Sequence, residues 1–328
     1  MSTSIETVKD VKKGPFSSDL SGDKIRVYLR YPVVASFLAG GVAGAVSRTV
    51  VSPLERTKII FQVQGPGSAA YQGVGPALAK MWREEGWRGF MRGNGTNCIR
   101  IVPYSAVQFS SYTIYKAFLQ KTAGKSELDT LQRLTAGAMA GITSVVVTYP
   151  LDIVRTRLSI QTASLVTHSS KKIEHPPGMW SVMKKMYVKE GGFRALYRGL
   201  IPTTMGVAPY VGLNFAVYES MRSLVTPEGQ RDPSAAGKLF SGAVSGAVAQ
   251  TITYPFDVLR RRFQVVTMGA GKLGFQYDSV WGAVQSIIKQ EGLRGMYKGL
   301  SANLLKVAPS MASSWLSYEY TKDLLLKL

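Results

Sequence analysis

A pattern that recurs three times, about 100 residues apart, constrains this chain more than any other feature. Its copies are Pro53-Leu54-Glu55-Arg56-Thr57-Lys58, Pro150-Leu151-Asp152-Ile153-Val154-Arg155 and Pro255-Phe256-Asp257-Val258-Leu259-Arg260, each reading Pro-x-acid-x-x-base. Thirteen residues before each proline starts a run of small residues: Gly40-Gly41-Val42-Ala43-Gly44, Gly137-Ala138-Met139-Ala140-Gly141 and Gly242-Ala243-Val244-Ser245-Gly246. Downstream, each unit carries Glu-Gly followed by aromatic-or-Met, base and Gly: Glu85-Gly86 with Met91-Arg92-Gly93, Glu190-Gly191 with Tyr197-Arg198-Gly199, and Glu291-Gly292 with Tyr297-Lys298-Gly299. Such self-similarity marks a supersecondary unit that buries its apolar face against its own copies.

Uncharged runs flank these motifs at 31–47, 101–115, 134–151, 199–218, 239–256 and 307–318. A membrane-spanning helix needs roughly 20 mainly apolar residues, and each run reaches that length through weakly charged flanks. In lipid, packing replaces the hydrophobic effect, so the glycine pairs predict close helix contacts. The three prolines predict kinks. Segments 73–85, 179–190 and 279–291 read as short amphipathic surface helices. The expected architecture is an all-α membrane protein. It has six kinked transmembrane helices in three tandem repeats of pseudo-threefold symmetry, closing at one end while open at the other. The repeats are expected at 32–122, 128–226 and 233–328, after a polar tail over 1–31 that includes a short amphipathic piece near 24–31.

The chain has 328 residues and a net charge of +20, with a mean hydropathy of +0.04. That charge would suit a nucleic-acid binder, but six apolar runs and the lack of a basic-aromatic recognition module argue against one. No Gly-x-x-x-x-Gly-Lys-Ser/Thr phosphate loop, metal-ligand cluster or nucleophile–base pair marks an enzyme. Cys98 is the single cysteine, which excludes an intrachain disulfide and reads as a packing residue. His168 and His175 sit in a polar stretch read as a solvated loop.

The threefold Pro-x-acid-x-x-base motif with its Glu-Gly partner resembles the mitochondrial carrier family, from about Ala35 to the C-terminus. Within it the likeness is strongest to fungal carriers of adenosine 5'-phosphosulfate and 3'-phosphoadenosine 5'-phosphosulfate. It rests on residues 39–49, on Asn97-Cys98-Ile99-Arg100, on Thr253-Tyr254-Pro255-Phe256-Asp257 and on Arg260-Arg261-Arg262-Phe263-Gln264. Related members carry coenzyme A, or ATP-Mg and phosphate. The resemblance implies a multi-pass protein of the mitochondrial inner membrane with both termini in the cytosol, working as a monomeric transporter without cofactor, metal or nucleic-acid partner. Anionic lipid such as cardiolipin is the expected partner of its matrix-side helices.

The resemblance further implies two gates. On the matrix side the pairs are Glu55–Arg155, Asp152–Arg260 and Asp257–Lys58, braced by Gln62 and Gln264, with Ser159 at the corresponding place in the middle repeat. On the cytosolic side, Tyr218-Glu219-Ser220-Met221-Arg222 and Tyr318-Glu319-Tyr320-Thr321-Lys322 match the family's pattern, while Tyr112-Thr113-Ile114-Tyr115-Lys116 has Thr113 in the acid's place. Glu219–Lys322 and Glu319–Lys116 are then expected as pairs, with Arg222 lacking an acid. Exposed ion pairs are worth about 0–1 kcal/mol each. Such rings are therefore barriers a substrate can offset, if they are not merely static staples of the helix ends.

Three bases interrupt the apolar runs: Arg48, Arg100 and Lys306. A lone cation in a span costs on the order of 3 kcal/mol. These either snorkel or share a cavity with an anion, and arginine's planar fork suits phosphate or sulfate oxygens. Where the outer repeats have Arg100 and Lys306, the middle repeat has Gly206, followed by Val207 and Tyr210. They read as a pocket for a flat base, with helix packing as the alternative for Gly206. In the family, a glycine and aliphatic residue here accompany adenine nucleotides. Asn214 and Thr253 are candidates for base or sugar hydrogen bonds. The expected substrate is thus an anionic adenine-type nucleotide, taken by exchange, with coenzyme A or adenosine 3',5'-bisphosphate as the alternative. The three-arginine, three-methionine signature of ADP/ATP exchangers is absent, since Phe263-Gln264-Val265 follows Arg262.

Overall fold

A computed structural model describes residues 32–66, 71, 73–124, 127–161, 177–226, 233–268, 277 and 279–327. The N-terminal tail, its expected amphipathic piece and both histidines lie outside the described residues. Among those described, all regular structure is helical. The first repeat holds α1 (Pro32–Val50), α2 (Ser52–Val63), α3 (Val74–Phe90), α4 (Asn94–Ile99) and α5 (Ile101–Ala123). The second holds α6 (Thr130–Ile160), α7 (Met179–Lys189), α8 (Phe193–Leu196) and α9 (Leu200–Val225). The third holds α10 (Ala235–Val265), α11 (Val280–Gly295), α12 (Leu300–Leu305) and α13 (Val307–Lys327).

The main lateral contacts join neighbouring repeats: α5 with α6, α9 with α10, and α13 with α1. They close the bundle into a ring of three alike parts. Segments 130–160 and 193–225 are long and apolar enough alone to cross a membrane, and α1 with α2, bent by 59°, makes a third candidate span. The other spans are more polar, as helices that enclose a wet cavity are.

One sequence expectation changes, and the three prolines act differently on their helices. The chain breaks only at the first proline, where Val51 leaves helical geometry; α6 and α10 run on through Pro150 and Pro255. The residues preceding those two prolines are Tyr149 and Tyr254, whose hydroxyls donate to Arg198 O and Lys298 O at 2.8 and 3.1 Å and whose rings stack on Tyr197 and Tyr297. The first repeat has Ser52 there, without a ring to brace the turn. The close-packed seam is also not made by the glycines. The buried small residues are Ala39, Ala43 and Ser47 on α1, Ala136, Ala140 and Ser144 on α6, and Ser241, Ser245 and Ala249 on α10, every fourth residue on one face. Nothing lies within 4 Å of an added Cβ at Gly40, Gly41, Gly137, Gly242 or Gly246. One helical position round from the seam, these glycines face open space; Gly44 lies against Ile101, 3.4 Å from an added Cβ, and Gly137 and Gly141 line the cavity.

The surface helices appear where expected; α3 and α11 extend past Glu85 and Glu291, whereas α7 ends at Lys189, just before Glu190. The positive φ of Gly86 (64°) and Gly292 (68°) lets α3 and α11 turn back toward the bundle. The middle repeat, whose Glu190-to-Tyr197 spacing is one residue longer than the other two, turns through Gly191 and Gly192 instead.

Candidate functional site

Each proline brings an acid and a base to the axis at one end of the bundle. Arg155 pairs with Glu55, Arg260 Nη2 donates to Asp152 Oδ2 at 2.5 Å, and Lys58 Nζ donates to Asp257 Oδ2 at 3.0 Å. All three expected pairs at the proline end are present. Further cations join them. Arg100 Nη1 reaches Asp152 Oδ1 at 3.0 Å, Lys306 Nζ reaches Glu55 Oε1 at 3.1 Å, and Arg261 Nη1 reaches Asp152 Oδ2 at 3.2 Å. Three carboxylates thus face six cations at the floor of the bundle. Asp257 has no second-repeat counterpart of Arg100 against it, because Gly206 occupies that place; Gln250 Nε2 donates to it instead at 3.0 Å. Asn97 Nδ2 adds a contact to Glu55 at 3.3 Å.

The braces divide unevenly. Gln264 Nε2 donates to Asp152 Oδ2 at 2.8 Å, while its Oε1 accepts from Thr156 and Arg261. Gln62 does not touch its ion pair directly; its Nε2 donates to the Tyr254 hydroxyl at 3.1 Å. Ser159 donates to the backbone of its own helix at Arg155 O and does not brace the Glu55–Arg155 pair, which Lys306 and Asn97 contact instead.

A second ring of struts, unforeseen in the sequence, locks the repeats together outside the first. Arg157 grips Glu190 with both terminal nitrogens (2.7 and 2.8 Å), and Arg262 grips Glu291 likewise (2.5 and 2.8 Å). Arg56 donates to Glu85 at 2.6 Å. The Nε of each arginine crosses to the backbone oxygen nine residues after the next repeat's proline: Arg56 to Ser159, Arg157 to Gln264, and Arg262 to Gln62. Arg157 and Arg262 sit seven residues after their prolines; Ile60 holds that position in the first repeat, and Arg56, one turn earlier on the same face, supplies the strut. Burial alone would raise the Glu190 carboxyl, but hydrogen bonds from Arg157 and Thr267 and the nearby positive charge of Arg157 and Arg198 outweigh it and hold it below the ordinary glutamate range. Glu291 is lowered in the same way against burial, by Arg262 and Lys298. A Cβ at Gly93, Gly199 or Gly299 would lie 2.9 Å from the backbone oxygen of Arg155, Arg260 or Lys58. Only glycine fits where these turns press on the gate helices.

Above the floor opens a cavity of about 350 Å³. Gly206, Val207 and Tyr210 line it, as the sequence predicts, together with Tyr104, Gln108 and Gln250. Gly206 also serves packing, since an added Cβ would come within 3.0 Å of Phe256 Cβ. Thr253 lines the cavity but its hydroxyl donates to Ala249 O, and Asn214 is not part of the lining; its buried Oδ1 has no partner among the described residues. The Arg100 guanidinium lies over the Tyr104 ring, 5.5 Å from its centre. Arg48 makes no ion pair among the described residues and sits near Glu55, Arg155 and Tyr104.

The sequence profile of the mitochondrial carrier protein family matches residues 29–123, 126–229 and 231–328. The chain belongs to the mitochondrial carrier family. It is 52% identical over 310 residues to an uncharacterized mitochondrial carrier of Saccharomyces cerevisiae, covering 92% of this chain and 95% of the relative. It is 42% identical over 326 residues to a mitochondrial adenine nucleotide transporter of Arabidopsis thaliana (93% and 90% covered). A mitochondrial coenzyme A transporter of Xenopus tropicalis is 37% identical over 303 residues (90% and 87%).

At the other end of this carrier the expected ring is not assembled. Among the described residues neither Glu219–Lys322 nor Glu319–Lys116 forms. Glu219 pairs within its own helix with Arg222 at 3.7 Å, so Arg222 does have an acidic partner, contrary to the sequence reading. Lys322 lies 5.7 Å from the centre of the Tyr318 ring. Tyr112 and Tyr218 are half-buried, Lys116 and Glu319 exposed. Thr113, in the missing acid's place, is exposed and donates to Phe109 O. Among the described residues, ion pairs join the repeats at the proline end and not at the opposite one.

Proposed function

We propose that this carrier exchanges adenosine nucleotides across the mitochondrial inner membrane by alternating access, with adenosine 5'-phosphosulfate and 3'-phosphoadenosine 5'-phosphosulfate as its substrates. The observation that carries the reading is the excess of positive charge at the cavity floor, six cations against three carboxylates. A neutral solute gains nothing there, whereas phosphate and sulfate oxygens find Arg48, Arg100 and Lys306. The glycine, valine and tyrosine on the facing helix α9 leave an apolar slot beside those charges, suited to a purine ring.

Coupling follows from the same contacts. Arg100 and Lys306 are held by Asp152 and Glu55, two of the three matrix-gate acids. An anionic substrate that draws these cations upward takes partners from the gate. The ligand thereby favours the state in which the matrix end opens, and shifts the balance only by its difference in affinity for the two states. Tyr112, Lys116, Tyr218, Glu219, Arg222, Tyr318, Glu319 and Lys322 then close the cytosolic end. The protein acts as a monomer, and its charge of +20 favours anionic lipid such as cardiolipin around the matrix-side helices.

A coenzyme A carrier is the second reading. It is favoured by the relative named as a coenzyme A transporter, and coenzyme A shares the adenosine and phosphate groups this cavity suits. Purified protein reconstituted in liposomes, with uptake compared among both adenosine phosphosulfates, ADP, ATP, coenzyme A and phosphate, separates the two. The proposal expects the phosphosulfates to exchange fastest. Preferred uptake of coenzyme A moves the assignment to the second reading, and uptake of phosphate alone overturns both.

A further inference from the structure

Two amide side chains line the cavity that the sequence does not single out: Gln108 on α5 and Gln250 on α10. Gln108 follows Arg100 and Tyr104 at four-residue intervals, so a cation, a ring and an amide stand in a row up one face of α5. The row rises about 12 Å along the helix, comparable with a nucleoside phosphate measured from phosphorus to the far edge of its base. Among the described residues the Gln108 side chain makes no hydrogen bond, so its amide is unspent beside the cavity.

Gln250 differs in one respect. Its Nε2 donates to Asp257 Oδ2 at 3.0 Å. A carboxylate only accepts, so the amino end of this amide is fixed on Asp257 and cannot exchange places with the carbonyl end. Gln250 therefore offers the cavity an acceptor of set orientation. Adenine carries a donor at its exocyclic amino group, where guanine carries the acceptor O6. A fixed carbonyl oxygen welcomes the first and repels the second. Gln108, free to turn over, fits either.

We propose that Gln250 and Gln108 read the base of the transported nucleotide, with Gln250 selecting for an exocyclic amino group and Gln108 holding the ring edge without selecting. This rests on the nucleotide reading above and extends it to base specificity. Three pairs of side chains in and below the cavity then have distinct tasks. Arg100 and Lys306 take the charge, Gly206 and Val207 leave room for the ring, and the two amides test its edge.

The test uses the full-length protein in liposomes, with ATP and GTP as probes because they differ only in the base. Wild type is expected to prefer ATP. Gln250→Met, similar in size but without the acceptor, should reduce that preference about tenfold, while Gln108→Leu should raise KM for both nucleotides about three- to tenfold and leave their ratio alone. A gating defect alone would slow both nucleotides equally, so the ratio separates base reading from the Gln250 contact with Asp257. A second arm needs no variant: purine riboside triphosphate, which lacks the amino group, should enter wild-type protein about tenfold less well than ATP. An unchanged ATP-to-GTP ratio in folded Gln250→Met, or equal uptake of ATP and the des-amino analogue, overturns the inference and leaves the nucleotide reading standing. A wild-type protein that takes up no adenosine nucleotide overturns the nucleotide reading itself, and this inference with it.

Discussion

Replacing Arg100 with alanine separates a substrate contact from a structural one. In the closed floor Arg100 donates to Asp152 at 3.0 Å, but Asp152 also accepts from Arg260 and Arg261 and from the Gln264 amide. Removing Arg100 leaves this buried carboxylate paired. The structural loss is then that of one redundant ion pair, about 0–1 kcal/mol. The loss to a bound anion is larger. A charge-assisted hydrogen bond to phosphate or sulfate is worth about 1.5–3 kcal/mol, which is about 10- to 150-fold in affinity. Arg100→Lys keeps the charge but not the fork, and should fall between.

Asp152→Ala is the opposite case. It strips the shared acceptor from three guanidinium groups and an amide at once, and breaking a buried charge cluster costs about 3–5 kcal/mol. Exchange kinetics in liposomes, with thermal unfolding of the detergent-solubilised protein alongside, distinguish the two. Arg100→Ala should raise KM strongly and move the melting temperature little; Asp152→Ala should do the reverse of the second. An Arg100→Ala protein with wild-type KM, or one as thermally weakened as Asp152→Ala, would refute the division of roles.

Arg56→Ala should be strongly destabilising. Arg56 is 1% exposed and donates to Ser159 O, Gly89 O and Glu85; a loss of about 3–5 kcal/mol is expected, read as a fall in the melting temperature that Arg56→Lys does not restore. Glu190 and Glu291 are held below their ordinary value of 4.5. Their contribution to stability is therefore complete above pH 4.5 and lost as pH falls below it toward the lowered folded values; melting temperatures should be flat from pH 8 to 6 and drop in acid, less steeply in Glu190→Gln and Glu291→Gln. Gly206→Leu should fill the slot and press on Phe256, cutting nucleotide uptake at least about tenfold by loss of contact and room, with unaltered uptake counting against the assigned pocket.

The ion-pair ring at the proline end was legible because its chemistry repeats. Glu55, Asp152 and Asp257 with Lys58, Arg155 and Arg260 stand at one spacing in three copies, and helices of equal geometry bring equal spacings together. The struts were half legible: Arg157 and Arg262 recur seven residues after proline, but the first repeat moves its arginine to Arg56, and a fixed-offset comparison passes over it. The glycine runs misled, since in a helix one position is a turn of 100° and the seam fell to Ala39, Ala140 and Ser245 rather than to their neighbours. That Arg100 and Lys306 lean on the gate acids was not legible at all. It depends on how far two side chains reach across the axis, and no pattern along the chain records that. Gln108 and Gln250 each occur once, so repetition gave them no signal.

The positions that repeat and those that do not have different physical duties. A ring of three like pairs needs each repeat to supply one acid and one base, and any departure would orphan a buried charge; the threefold pattern is kept there for that reason. A substrate has no threefold symmetry. At the level of Arg100 the other repeats carry Gly206 and Lys306, and five residues before the prolines they carry Arg48, Val145 and Gln250. Each set places charge on the first repeat and a smaller or uncharged group on the second. The cavity is lined by Gly206, Val207 and Tyr210, while Arg100 and Lys306 stand in the ion-pair floor, tied to Asp152 and Glu55. On the function proposed above, a molecule with an anionic end and an aromatic end then has one favourable orientation rather than three, and that orientation is the one that disturbs the floor. The same reading has selection for substrate charge and coupling to opening share Arg100 and Lys306, so a substitution that alters recognition without coupling is expected away from those two.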